Sequence, residues 1–276
     1  MSRTRVGAPP GSPAGSSVAA WVLVGFLGLP VVVLLARAVF GEDALGRFLT
    51  DPAILTALGV SLLTTALSLA LTILLGTPLA YALATRSLPA GRLVETIVDL
   101  PIVLPPSVAG LALLLLLGRR GPLGEVLADA GLEIAFTAVA VVLAQLFVSA
   151  PLYVRSVRTG FRAVSRDVVE AARVDGAGDT AILARVMLPL AASAIGSGAI
   201  LAWVRALGEF GATIIFAGNI EGRTQTMPLL VYSSLQGGLG AAIATAAVLV
   251  LAAVAVLLAA RTVADRAGTP IGLDAR

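Results

Sequence analysis

The chain has 276 residues, of which 58% are hydrophobic and 13% charged, with a mean hydropathy of +0.99 and a net charge of +3. An average soluble domain is about 45–50% apolar and about a quarter charged, so a single globular core does not absorb this excess and a bilayer is the expected solvent. All 19 basic residues are Arg, and Lys, His and Cys are absent; this excludes a P-loop lysine, a Schiff-base lysine or His-activated nucleophile, a Cys/His zinc site and any disulfide. No covalent chemistry, metal site or bound cofactor is expected of the chain. Aromatic residues are only 5% and the charges sit in short loops, which argues against a nucleic-acid partner.

A membrane span needs about 20 mostly apolar residues. Residues 1–17, rich in Gly, Pro and Ser, have too little to bury and read as a disordered tail. Apolar runs then follow at Val18–Ala36, Ala53–Ala84, Leu100–Leu117, Ile134–Val154, Leu190–Ala217 and Leu239–Ala260. The first is too long for a signal peptide and lacks a convincing cleavage site. The second is interrupted only by Ser and Thr. The expected fold is an all-α membrane protein with six transmembrane helices over residues 18–260, or five if the Pro-rich third run is re-entrant. With the N-terminus inside, 13 Arg fall on inner segments and five (Arg37, Arg47, Arg119, Arg120 and Arg223) on outer ones. The excess of Arg marks the cytoplasmic side, so both the N-terminal tail and residues 261–276 are expected there.

Most connections are short, but the inner segment at about 155–189 is long and amphipathic. Ser165 is a plausible N-cap, and Asp167 lies in the first turn, where the helix dipole favours it. Val168, Ala171 and Ala172 recur at helical spacing, and Gly176 is a natural stop. A second short helix from Asp179 or Thr180 to Met187 would leave Pro189 to open the fifth span. Two short helices joined at a glycine make a rigid knob; the plainer alternative is a solvated basic loop that only fixes topology.

Two spans carry unusual residues. The third contains Pro101, Pro105 and Pro106, followed by Ser107, and prolines here release backbone groups that a bilayer tolerates only against protein or a water-filled path. The fifth carries Arg205 and Glu209 with Gly208 and Gly211 beside them. Charges at this depth usually face a bundle interior. Four residues apart, they share one helical face and form either a structural ion pair or, through Arg205, part of an anion path. Gly196, Gly198, Gly208 and Gly211 permit close helix approach. Only the third span reads as interrupted.

Glu170-Ala171-Ala172, three residues, Gly176, nine residues and then Val186-Met187-Leu188-Pro189 resembles the EAA loop of ABC-importer permeases, with Val186 where the family has Ile or a similar residue. The third-span run, Gly208-Glu209-Phe210-Gly211-Ala212-Thr213-Ile214 and Arg223-Thr224-Gln225-Thr226-Met227-Pro228 are similar to the molybdate/tungstate permease subunit, over nearly all of residues 20–260. Sulfate and thiosulfate permeases share much of this pattern.

The resemblance implies a type I permease fold in which two copies enclose one pathway. Glu170, Ala171, Ala172, Arg173, Gly176, Val186, Leu188 and Pro189 would then form the coupling loop that docks on an ATP-hydrolysing subunit. Pro105, Pro106, Ser107, Arg205, Gly208, Glu209 and Gly211 become candidates for pathway or gate. The implied partners are two ATP-binding subunits, which use ATP and Mg, an extracytoplasmic oxyanion-binding protein, and membrane lipid. A secondary transporter or channel is the alternative from a different class.

Overall fold

The structure is a computed structural model that describes residues 14–41 and 50–266. The expected N-terminal tail lies largely outside the described residues, except that helix α1 already begins at Ala14 and runs to Phe40. It packs chiefly against the last helix and buries almost nothing. Helix α2 (Pro52–Ala84) starts where the Asp51 carboxylate accepts the Ala53 N–H at 2.8 Å, with Pro52 at the first helical position. Pro fits there because its missing N–H is one that the first turn leaves unpaired anyway.

Helices α3 (Gly91–Val103) and α4 (Pro106–Leu117) occupy the Pro-rich third run and meet at 117°. Pro105 and Pro106 have no N–H to continue the ladder, so α3 ends at Val103 and Pro106 begins a new helix. α4 has 12 residues, about 18 Å at 1.5 Å per residue. The third run is therefore a sharply bent pair and not a kinked rod. Helix α5 (Pro122–Asp129) follows, and then α6 (Ala138–Ala163), which is capped by the Thr137 hydroxyl on the Ala140 N–H.

α6 is the axis of the bundle, packing along α2 on one side and α10 (Ala192–Leu207) on another. Small residues make the second contact: Ser156 donates to the Ala194 carbonyl at 2.8 Å, and a Cβ at Gly198 would lie 2.9 Å from the Ser156 Cβ. Against α2, the Tyr153 and Thr77 hydroxyls meet at 2.7 Å. The buried core here joins Ala80, Leu83, Tyr153, Val157, Phe161 and Ile182.

Between α6 and α10 lie α7 (Arg166–Val174), α8 (Asp179–Ile182), a π-helical turn (Leu183–Met187) and α9 (Leu188–Leu190). The continuous 179–190 segment meets α10 at 75°. The expectation that Pro189 opens the fifth span is corrected: Pro189 lies within the short helical segment, and the turn comes at Ala191. The wider π turn ends on the Leu188 N–H bonding the Leu183 carbonyl, and Pro189, lacking an N–H, needs no partner.

The fifth run is broken again at Gly208–Phe210, after which α11 (Gly211–Phe216) begins. Sequence reading placed an interruption only in the third span; the structure has one in each half of the bundle. Helix α12 (Met227–Gly237) and α13 (Leu239–Arg266) complete the chain. α13 continues six residues past the expected boundary at 260, and the tail from 267 lies outside the described residues. Among the described residues four helices are long and apolar enough to cross a membrane, and the number is up to six if each bent pair is one span. No strand occurs among the described residues.

Candidate functional site: the coupling knob and the broken spans

α7 forms because Ser165 caps it, accepting the Asp167 N–H at 3.3 Å, and because Gly176 ends it. Gly176 has φ +85°, a left-handed conformation that glycine adopts without a Cβ clash. The Ala177 N–H bonds the Ala172 carbonyl and the Gly176 N–H the Arg173 carbonyl, the paired bonds of a Schellman stop. Arg173 and Asp179 then bridge α7 and α8 at 3.4 Å. Both are well exposed, so the bridge itself contributes little.

No residue of α7 is buried, yet the helix has two apolar stripes. Val169 and Ala172, three apart, pack on the α2–α6 core with Ala177, Leu183 and Leu188. Val168, Ala171 and Val174 point outward; Val174 is 88% exposed. Glu170 and Arg173 lie to one side of these residues and are exposed. The sequence-predicted set therefore divides. Glu170, Ala171, Arg173 and Gly176 face away from the bundle. Ala172, Val186 and Leu188 are partly buried and anchor the knob, while Pro189 sits exposed at its base.

The second constellation forms where the two broken spans meet. α11 lies against α4: a Cβ at Gly211 would stand 2.8 Å from the Pro106 Cβ and 3.2 Å from the Ser107 N, and one at Gly110 would stand 2.6 Å from the Ala212 carbonyl oxygen. Pro106, Ser107 and Gly211 are thus in direct contact, with Pro105 capping α4 beside them. Glu209, 1% exposed, joins the break to its neighbours. Its Oε2 accepts from Arg205 Nη1 at 2.6 Å, and its Oε1 accepts the Ala212 N–H at 2.8 Å. One carboxylate ties the end of α10 to the start of α11. Arg205 is about one-third exposed, and its guanidinium has five N–H donors. Gly208 makes no tight contact, and a Cβ at Gly196 would meet nothing within 4 Å.

Sequence reading missed a polar framework around these breaks. In α2, Ser61, Thr65, Ser68 and Thr72 recur at helical spacing and are all buried. Ser61 accepts the buried Met227 N–H at 2.7 Å; the hydroxyls of Ser68 and Thr72 have no hydrogen-bond partner, nor does that of Thr213 in α11. The loop before α12 folds inward: the Gln225 amide donates to Asn219 Oδ1 at 3.0 Å, Asn219 to Ser233 Oγ at 2.7 Å, and Thr224 and Thr226 are buried. The signal for the stripe was present in the four-, three- and four-residue spacing of hydroxyls. A lone Asn and Gln in a loop carry no such signal.

Residues 73–267 match the family model for the binding-protein-dependent transport system inner membrane component. The chain belongs to this family. It is 41% identical over 254 residues to the molybdenum transport system permease protein ModB of Mycobacterium tuberculosis, covering 91% of this chain and 92% of that one. It is 40% identical over 230 residues to ModB of Escherichia coli, covering 80% and 99%. Among solved structures it is similar to a chain of the bacterial alginate ABC transporter in complex with an alginate pentasaccharide-bound periplasmic protein, with a TM-score of 0.71 at 19% identity over 92% of this chain and 93% of that chain. That likeness shows the fold: the bent third and fifth runs belong to a type I ABC-importer permease. The chain is a multi-pass membrane component of a transport family.

Proposed function

We propose that this chain is the membrane-spanning permease subunit of an ATP-driven importer for molybdate or tungstate. Two copies form the pathway, an extracytoplasmic binding protein delivers the oxyanion, and two separate ATP-binding subunits hydrolyse ATP with Mg. The observation that carries the reading is the 41% identity, over nine-tenths of both chains, to a molybdenum transport permease. The geometry supports it at both ends of the mechanism. The outer side of α7 is a mixed ridge in which exposed Val168, Ala171 and Val174 stand among Asp167, Glu170 and Asp175, and the Arg173–Asp179 bridge links it to α8. A groove on an ATPase subunit would bury this ridge. Movement of the ATPases would be passed through Val169, Ala172 and Leu188 to the core of α2 and α6.

At the other end, Arg205 offers positive potential and unused donors close to the two broken spans. A tetrahedral dianion needs little more from a pathway when the binding protein has already selected it. In this reading the termini are cytoplasmic, as the excess of Arg on the inner segments requires.

The test is uptake into vesicles that hold the chain with its ATPase and its binding protein. ATP-dependent entry of molybdate and tungstate, with sulfate excluded, is the expected result. Sulfate entry would replace the substrate, and entry of any of the three without ATP would favour a secondary transporter. Gly176→Trp examines the docking separately. A Cβ there meets nothing within 4 Å, but the φ of +85° strains any side chain by about 1–2 kcal/mol at the end of α7; the spans should still insert while ATPase-coupled uptake is lost. Full coupled uptake by Gly176→Trp would refute docking through α7.

A further inference from the structure

Two cavities of different character lie one beyond the other along the crevice that α2, α3 and α6 form. At the end nearest the α7–α8 knob is a cavity of about 380 Å3 whose lining includes Leu83, Arg86, Arg92, Glu95 and Arg162. Its single carboxylate is already shared: Glu95 Oε1 lies 2.9 Å from Arg158 Nη1 and 3.0 Å from Arg162 Nη2. Arg86 and Arg92 are exposed and have no ion-pair partner among the described residues. Arg86 and Ala90 both hold left-handed backbone (φ 55° and 53°), a conformation uncommon for residues with a Cβ, so the turn that presents these arginines is a specified one.

Deeper in the bundle the same three helices, with α4, line a second cavity of about 350 Å3. Its walls are apolar and include Leu75, Leu79, Ile97, Val98, Pro101 and Val154. From Arg92 to Pro101 along α3 is about 14 Å at 1.5 Å per residue. One leaflet of hydrocarbon, half of a core about 30 Å thick, is about 15 Å. On α3, Leu93, Ile97 and Leu100 are each about half exposed or more, at a spacing that makes one outward stripe.

We propose that this crevice holds one anionic phospholipid, its phosphate between Arg86 and Arg92 and an acyl chain in the apolar cavity beside Leu79, Val98 and Pro101. A soluble phosphate would account for the arginines and leave the apolar end without a function; a zwitterionic lipid would account for the apolar end and leave two guanidiniums uncompensated. The bound headgroup lies beside the Glu95–Arg158–Arg162 network that ties α3 to the end of α6, from which α7 departs. The charge of the membrane would thus reach the base of the knob.

The experiment uses the full chain, purified and then equilibrated in nanodiscs of equimolar phosphatidylglycerol and phosphatidylcholine, with retained lipid read by native mass spectrometry after detergent extraction. The expected result is preferential retention of phosphatidylglycerol. In Arg86→Gln/Arg92→Gln that retention should fall roughly tenfold or more, since each Arg near an anionic headgroup contributes about fivefold. These two side chains are exposed and unpaired, so the variant should elute as the parent does. Ile97→Trp, which fills the apolar cavity from its half-exposed side, should also lower retention. Equal retention of the two lipids, or retention unchanged in the double Arg variant or in Ile97→Trp, would overturn the assignment. So would displacement of lipid from the parent by inorganic phosphate alone, which would mark a soluble-anion site.

Discussion

Removing Arg205 should cost more than removing the charge it pairs with, because the two partners are not equally buried. Glu209 is 1% exposed and the Arg205 side chain 31%. Arg205→Met leaves a carboxylate inside the bundle with only the Ala212 N–H to stabilise it. Breaking a buried pair from one side destabilises by about 3–5 kcal/mol; because Arg205 itself is 31% exposed, the lower bound, about 3 kcal/mol, is expected. Glu209→Gln keeps an oxygen for the Ala212 N–H and leaves a guanidinium that reaches water, so about 1 kcal/mol is expected. The double variant should resemble Glu209→Gln, since no buried charge remains, giving a coupling of about 2–3 kcal/mol. Denaturant unfolding of the four proteins in one detergent measures the cycle. If Arg205→Met alone and the double variant were equally unstable, the carboxylate would not be the buried liability described. If all four were equally stable and only oxyanion flux were lost, the pair would act in the pathway and not in holding the break.

The contact between the broken spans can be tested with glycine pairs. Gly211→Ala places a Cβ 2.8 Å from the Pro106 Cβ and should destabilise by about 1–3 kcal/mol in the same unfolding assay. Gly196→Ala, in the middle of α10 with open space around it, should instead stabilise by about 0.5–1 kcal/mol; destabilisation there would show that a second surface covers Gly196. Ser61→Ala removes the acceptor of the buried Met227 N–H and should cost about 1–3 kcal/mol. Hydrogen exchange at the Met227 amide should quicken with it, and unchanged exchange would place the anchor of α12 elsewhere.

The straight spans were readable because their apolar runs exceed the membrane thickness: α2 stands where the sequence puts it, whereas α6 starts four residues later and ends nine residues later than the expected Ile134–Val154, taking in residues 155–163 of the expected inner loop, and α13 runs past 260. The knob was readable for a local reason, since Ser165, Asp167 and Gly176 set both ends of α7 within one short segment. Which of its stripes faces inward was not. Val168, Ala171 and Val174 have the same period as Val169 and Ala172, and only the position of the α2–α6 core separates them. The break at Gly208–Phe210 was hidden more deeply. No proline marks it, and the charges beside it, Arg205 and Glu209, fit an unbroken helix equally well because they share one helical face. There Glu209 accepts the Ala212 N–H at the start of α11 while holding Arg205 at the end of α10, an arrangement that only the folded chain displays. The prolines at 101, 105 and 106 announced an interruption but not its angle of 117°, nor, beyond the bend, the close approach of Gly110 to the Ala212 backbone.

That approach also imposes an order on how the chain is made. α4 is about 18 Å long, too short to cross hydrocarbon about 30 Å thick, and the backbone it meets at Ala212 lies about a hundred residues later. At roughly 5–20 residues per second, ribosomal synthesis leaves the Gly110 face of α4 uncovered for about 5–20 s. For that interval the half-helix has no permanent neighbour on this side. α6 arrives sooner and covers Ala109 and Leu113, but the Gly110 side closes only when α11 is made, so the third run is begun early and finished late.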